Sequence, residues 1–176
     1  YVFAMGEGKE KAVHVKAGEF VTFKTRDCFN NQISSEAYVL DTLDWDHINP
    51  ATGPVYVEGA SVGDVLKVSI LDIELDNEGT MCCLPENGVL GKDIVSSQIK
   101  KLKVENGYCY FNEFQLPVNP MIGVIGVAPK DENVPCGTPG SHGGNMDNTK
   151  IAKGSTLYLP VFHEGAYLAL GDVHAC

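Results

Sequence analysis

Val65-Leu66-Lys67-Val68-Ser69-Ile70-Leu71-Asp72-Ile73-Glu74-Leu75 alternates apolar and polar residues through Leu66, Val68 and Ile70, changes phase at Leu71, and resumes at Ile73 and Leu75. A period of two is the mark of a strand with one buried face. The slip reads as a bulge or bend, which lets one long strand serve two sheets or a barrel corner. Upstream, Glu19 to Thr25 sets Phe20, Thr22 and Lys24 against Val21, Phe23 and Thr25 after the turn-forming Ala17-Gly18, which predicts another strand. Further strands are predicted at Pro54 to Val57, Gly107 to Phe111, Met121 to Val127, Thr156 to Val161 and Ala166 to Leu170. A turn or two of helix capped by Asp93 is predicted over Asp93 to Lys101, and no stretch carries a long 3.6-residue stripe. With 19 glycines and 9 prolines punctuating short strands, the predicted fold class is mainly β, a β-sandwich or jelly-roll-like architecture with little helix.

A chain of 176 residues, 44% hydrophobic and 20% charged, has room for one sizeable domain or two small ones with a real core. Its 13 basic and 23 acidic residues leave a formal charge of −10, which repels nucleic-acid phosphates and anionic membranes. The nearest basic run, Lys100, Lys101 and Lys103, is short and lacks aromatic neighbours on which bases could stack. Neither nucleic acid nor membrane is therefore an expected partner. No apolar run reaches the roughly 18 residues of a membrane span, and the first residues lack the layout of a signal peptide. The six cysteines, Cys28, Cys82, Cys83, Cys109, Cys136 and Cys176, are irregularly spaced with no C-x-x-C, so reduced thiols in a cytoplasm are the expectation.

Residues of the kind that ligate metals gather in three places: Asp44-Trp45-Asp46-His47, Ser141-His142-Gly143-Gly144-Asn145-Met146-Asp147, and Gly171-Asp172-Val173-His174. Each lies in or beside a turn at a strand end. Imidazole and carboxylate are the ligands of a hydrolytic metal ion that keeps one position open for water, and three loops can converge on one ion. The middle cluster sits in Pro129 to Thr149, the longest segment without strand character, and loops of that length are usually functional or disordered. A solvated hairpin, with Asn145 closing an Asx turn, is the plain alternative. His14 and His163 have no ligand-type neighbours and read as surface or interface residues. Pro139-Gly140-Ser141-His142-Gly143 lacks the first glycine of a nucleophile elbow, and no phosphate-binding glycine motif is present. Cys136 has no histidine paired with it in sequence and reads as a bystander.

Three stretches resemble the opening of acetamidase/formamidase proteins in order and spacing: Thr25-Arg26-Asp27-Cys28-Phe29-Asn30-Asn31-Gln32-Ile33, Asn49-Pro50-Ala51-Thr52-Gly53-Pro54-Val55-Tyr56-Val57-Glu58-Gly59-Ala60, and Gly63-Asp64-Val65-Leu66. The later stretches Pro139 to Asp147, Gly154 to Val161 and Gly171 to Ala175 are similar to that family's central signature. The resemblance implies hydrolysis of small aliphatic amides, a β-rich fold and a divalent metal, zinc in the first place, with calcium a candidate second ion. It implies metal ligands at Asp147 and His174, with Asp27 or His142 completing the set, and a proton-transfer group at Glu58, at Asp172 or at a residue beyond Cys176. The small amide substrate is the expected partner.

Members of the family continue past the position of Ala175 into a Gly-rich acidic stretch. Residues 1–176 are therefore expected to form the amino-terminal and central part of the catalytic unit, with the remaining carboxy-terminal fragment and a homo-oligomer as further partners. A non-catalytic binding module and an amidase for larger or cyclic amides are the competing readings.

Overall fold

A computed structural model describes residues 1–7 and 13–176. Among the described residues, thirteen strands run in chain order: β1 (Ala4–Met5), β2 (Val13–Lys16), β3 (Ala51–Glu58), β4 (Val65–Ser69), β5 (Glu78–Cys83), β6 (Gln98–Glu105), β7 (Tyr108–Phe111), β8 (Phe114–Pro117), β9 (Met121–Gly126), β10 (Val134–Pro135), β11 (Gly143–Asn145), β12 (Thr156–Pro160) and β13 (Leu168–His174). Helical structure among the described residues is confined to the 3₁₀ turns Leu40–Thr42, Trp45–His47 and Gly91–Asp93. The fold is mainly β, as the alternation and the glycines predict. None of these helices is long and apolar enough to cross a membrane.

The centre is a five-stranded sheet in the order β11-β9-β13-β3-β2, antiparallel except where β2 runs parallel to β3. Strand β9, Met-Ile-Gly-Val-Ile-Gly, is buried along its whole length, so its apolar run lacks alternation. Alternation survives in β13. Leu168 and Leu170 join Ile122, Ile125, Val127, Val55 and Leu159 in the main core, whereas Ala169 turns to a second cluster with Met5, Ala51, Val124 and Cys136. Beyond Leu170 the strand runs on to buried Asp172 and half-buried His174 at its end. A four-stranded meander, β5-β6-β7-β8, and two two-stranded sheets, β12-β4 and β1-β10, complete the strands. A third cluster of Ile33, Leu40 and Leu43 with Cys82 and Ile99 fastens the 29–48 segment onto the meander.

Three expectations are corrected. Glu19 to Thr25 is not a strand: it pairs with no described strand and leaves Phe20 86% exposed, held by Glu19 bonding to Lys16, by Phe23 packing on the core, and by the Lys24 carbonyl, which accepts from Tyr1 Oη and Thr52 Oγ1. Period two sets the two faces of an extended backbone but does not supply the partner edge that makes a strand. Val65 to Leu75 carries the strand β4 only as far as Ser69, and the phase slip marks its end. The partner β12 begins at Thr156, and the Ala152–Ser155 turn beyond it leaves no edge for Leu71 to pair with. The helix expected over Asp93 to Lys101 is a 3₁₀ turn ending at Asp93 followed by β6, because pairing with β5 outweighs local preference. Ala166 to Leu170 is the reverse case, since β13 runs on to His174.

Candidate metal centre

Asp147, Asp172 and His174 come together, with one ligand atom of each lying within 4.8 Å of the others. Asp172 and His174 are two residues apart on β13 and so share a face. Asp147 arrives from the end of the loop that carries β11: the backbone N–H groups of Met146 and Asp147 both donate to the Gly123 carbonyl of β9, at 2.9 and 3.2 Å. Gly123 lies opposite Asp172, between the pairs Gly171↔Val124 and Val173↔Ile122. Both aspartates have left-handed backbones, with φ of 43° at Asp147 and 52° at Asp172. Aspartate tolerates that region better than most residues, and such conformations concentrate at functional sites.

The His174 ring is oriented by its own strand. Its Nδ1 lies 3.1 Å from the Asp172 carbonyl. A carbonyl only accepts, so Nδ1 carries the proton and Nε2 offers its lone pair. Asp172 is 5% exposed. Its carboxyl is pushed above the usual range chiefly by burial, opposed by His174 and reinforced by the negative charges of Asp147 and Asp27. Two carboxylates beside one imidazole, with the charge of Asp27 also felt at Asp172, make an arrangement that a divalent cation relieves, so the donor set fits such an ion. Asp27 reaches this group from a turn of its own. Its Oδ1 accepts from the Asn31 N–H at 2.6 Å, while its N–H donates to Asn31 Oδ1 at 3.0 Å.

The other candidates fall elsewhere. Glu58 is exposed at the far end of β3, opposite Lys16. The near end, Ala51, pairs with Gly171, so seven residues of extended strand, about 23 Å, separate Glu58 from the cluster. His142 is 2% exposed, and its carbonyl accepts from Val127, just past the end of β9 and four residues beyond the Gly123–Asp172 contact. Its ring fits between Gly140 and Gly144, where any β-carbon would press on it, and burial lowers its pKa. His142 Nε2 and Asn145 Oδ1 are buried without partners, and His142 is outside the ligand group. The Asp44–His47 cluster does not converge on the site either. His47 Nδ1 pairs with Asp44 at 2.7 Å on the surface, and the His47 ring packs against Phe3.

His163, read from sequence as a surface or interface residue, has two partners. Its Nε2 lies 2.7 Å from the Pro129 carbonyl and its Nδ1 3.0 Å from the Glu7 carboxylate. His163→Ala is expected to lower stability by roughly 1–2 kcal/mol, the scale of a lost hydrogen bond to a partly buried group, with metal content unchanged. A urea melt paired with metal analysis checks both. His14 stacks on Tyr56, with ring centroids 4.8 Å apart.

Sequence reading missed Cys28. Its thiol is pushed up to about 12, first by burial and then by Asp172, Asp27 and Cys82. Cys109 is pushed up to about 11, first by burial and then by its hydrogen bond with Cys176. Neither supplies a thiolate near neutrality. Iodoacetamide at pH 8, followed by peptide mass mapping, is expected to label exposed Cys176 well before Cys28, Cys109 or buried Cys136, and early labelling of Cys28 would contradict this assignment.

The scaffold is β-rich and brings two aspartates and a histidine together on strand and loop ends. The sequence profile of the Acetamidase/Formamidase family matches residues 9–136 and 133–176, and the chain belongs to that family. It superposes on the crystal structure of acetamidase from Bacillus halodurans with a TM-score of 0.97 at 45% identity, covering 99% of this chain and 60% of that one. A predicted acetamidase/formamidase from Thermoanaerobacter tengcongensis gives 0.92 at 50% identity, with 99% and 58% covered. Acetamidase from Yersinia enterocolitica gives 0.90 at 30% identity, with 100% and 57% covered. The chain thus spans less than two thirds of the length of each of these relatives.

Proposed function

We propose that the protein hydrolyses short-chain aliphatic amides, such as formamide and acetamide, to the carboxylate and ammonia at a site where Asp147, Asp172 and His174 hold a divalent ion. The observation that carries this reading is the convergence of those three ligand atoms within 4.8 Å, one of them on Asp172, which is buried and crowded by the charge of Asp147. When bound, a zinc ion supplies Lewis acidity, lowering the pKa of water and polarising the amide carbonyl.

The chain supplies the rest. Asp172 and Asp147 are held by αL backbones and the β9 carbonyl, and His174 is locked in one tautomer by the Asp172 carbonyl. Asp27, anchored by Asn31 and near enough to raise Asp172, takes the proton of the attacking water and returns it to the departing nitrogen. That delivery matters because an amide anion is a very poor leaving group. Zinc is the proposed ion because an imidazole with carboxylates and an open position is its hydrolytic ligand set; calcium has no role in this reading. Six irregularly spaced cysteines suit a reducing, cytoplasmic setting, and a homo-oligomer is the assembly proposed.

The test is an ammonia-release assay on purified protein with formamide and acetamide, alongside metal analysis, chelation and zinc re-addition. Gel filtration of the same sample reads out the assembly. Metal-dependent ammonia release supports the proposal. Stoichiometric metal with no turnover would reassign the chain as a binding module. Ring opening of a cyclic amide without ammonia release would move it to a different substrate class.

A further inference from the structure

We propose that Gly123 is a positioning residue for the carboxylate cluster: its missing side chain makes the room in which Asp147 and Asp172 converge. This rests on the metal-site reading above. A β-carbon at residue 123 would lie 2.8 Å from Asp147 Oδ1, 2.8 Å from Asp172 Oδ2 and 2.8 Å from the Asp172 carbonyl oxygen. Those oxygens come from two separate segments, the loop after β11 and the strand β13. One of them is main chain, so rotating side chains cannot clear all three. The backbone of Gly123 is not left-handed, so the glycine is required there for space and not for conformation.

The same residue also sets the backbone of one ligand. Its carbonyl accepts from both Met146 and Asp147, so β9 holds the Asp147 main chain while the bare Cα lets the Asp147 carboxylate fold back over the strand. A methyl group at 123 would push the two carboxylates outward and apart, away from the imidazole. Gly126 provides a matched comparison on the same strand. A β-carbon there would meet the His142 carbonyl at 2.7 Å, the Gly144 N–H at 2.8 Å and Met5 Sδ at 2.8 Å, which is similar crowding with no carboxylate involved.

The experiment titrates Zn²⁺ calorimetrically into metal-stripped wild type, Gly123→Ala, Gly126→Ala and Asp147→Asn, with urea melts of the metal-free proteins. Both glycine variants are expected to lose stability to a similar degree. Only Gly123→Ala is expected to lose zinc affinity as well, by about 10-fold to 100-fold, the range seen when groups that orient metal ligands are removed. Wild-type affinity in Gly123→Ala, or an equal loss in Gly126→Ala, overturns the positioning role while leaving the metal site intact, provided Asp147→Asn still abolishes binding. A wild type that binds no zinc removes both the metal reading and this inference. If Gly123→Ala alone does not fold, the pair Asp147→Gly and Gly123→Ala/Asp147→Gly serves instead. Asp147→Gly keeps the left-handed backbone and removes one of the clashing carboxylates, so residue 123 must then tolerate alanine at a smaller stability cost than in wild type. An undiminished cost overturns the proposal.

Discussion

His174→Ala is expected to reduce metal affinity by more than about 100-fold and bring ammonia release from acetamide or formamide to background, with the β-rich circular dichroism unchanged. The threshold follows from chemistry: loss of groups that merely orient a ligand costs about 10-fold to 100-fold, and loss of a ligand itself costs more. The imidazole is the only nitrogen donor in the three-residue group, and its tautomer is already set by the Asp172 carbonyl. Asp147→Asn is expected to act the same way, because it removes the charge while preserving the shape and the tolerance of an αL backbone. Neither substitution touches the core, since His174 is only partly buried and Asp147 is exposed. Atomic absorption on the purified variants and a coupled ammonia assay measure the two effects. Full retention of both metal and turnover would remove these residues from the mechanism.

Ile125→Ala is expected to be the most damaging simple truncation of the main core, at about 2–5 kcal/mol. Ile125 is 0% exposed and lies in β9, where it pairs with Gly144 of β11 on one side and Leu170 of β13 on the other. The cavity left behind would border the strands that carry both halves of the candidate site. Relaxation there is limited, because Gly143 and Gly144 already hold β11 against β9: a β-carbon on Gly143 would meet the Ile125 carbonyl. Against a typical total stability of about 5–15 kcal/mol, such a loss lowers the melting temperature by roughly 10 °C. Val89, fully exposed, is the matched comparison, and Val89→Ala is expected to shift stability by no more than about 0.5 kcal/mol. Urea melts of the two variants decide the matter; equal effects would mean that the core is not organised around β9.

Much of the site was legible in the chain itself. Gly171-Asp172-Val173-His174 was readable as a run of ligand-type residues at a strand end. Asp147 closes a glycine-rich loop whose family signature marked it as a ligand. Composition and turn residues were enough for a mainly β fold, because a period of two and frequent glycine and proline are local properties of the chain.

Contacts between distant segments were not legible, because they depend on which strand edges meet. Nothing local distinguishes Glu58 from Asp27 as a site carboxylate. Only the antiparallel register of β13 on β3 sends Glu58 to the far end of the sheet, while a turn closed by Asn31 carries Asp27 to the near end. In the proposed site Asp172 is a ligand and not the proton-transfer group for the same reason, since β9 sets Asp147 beside it. Phe20 to Thr25 shows the converse: the chain specifies an extended backbone with two faces, but whether that becomes a strand depends on a neighbouring edge, and none of the described strands supplies one. Gly123 reads in sequence as one more glycine in an apolar run. Its importance comes from the three oxygens that tertiary structure packs against its Cα, and packing of that kind is a property of the assembled sheet, invisible in any one strand.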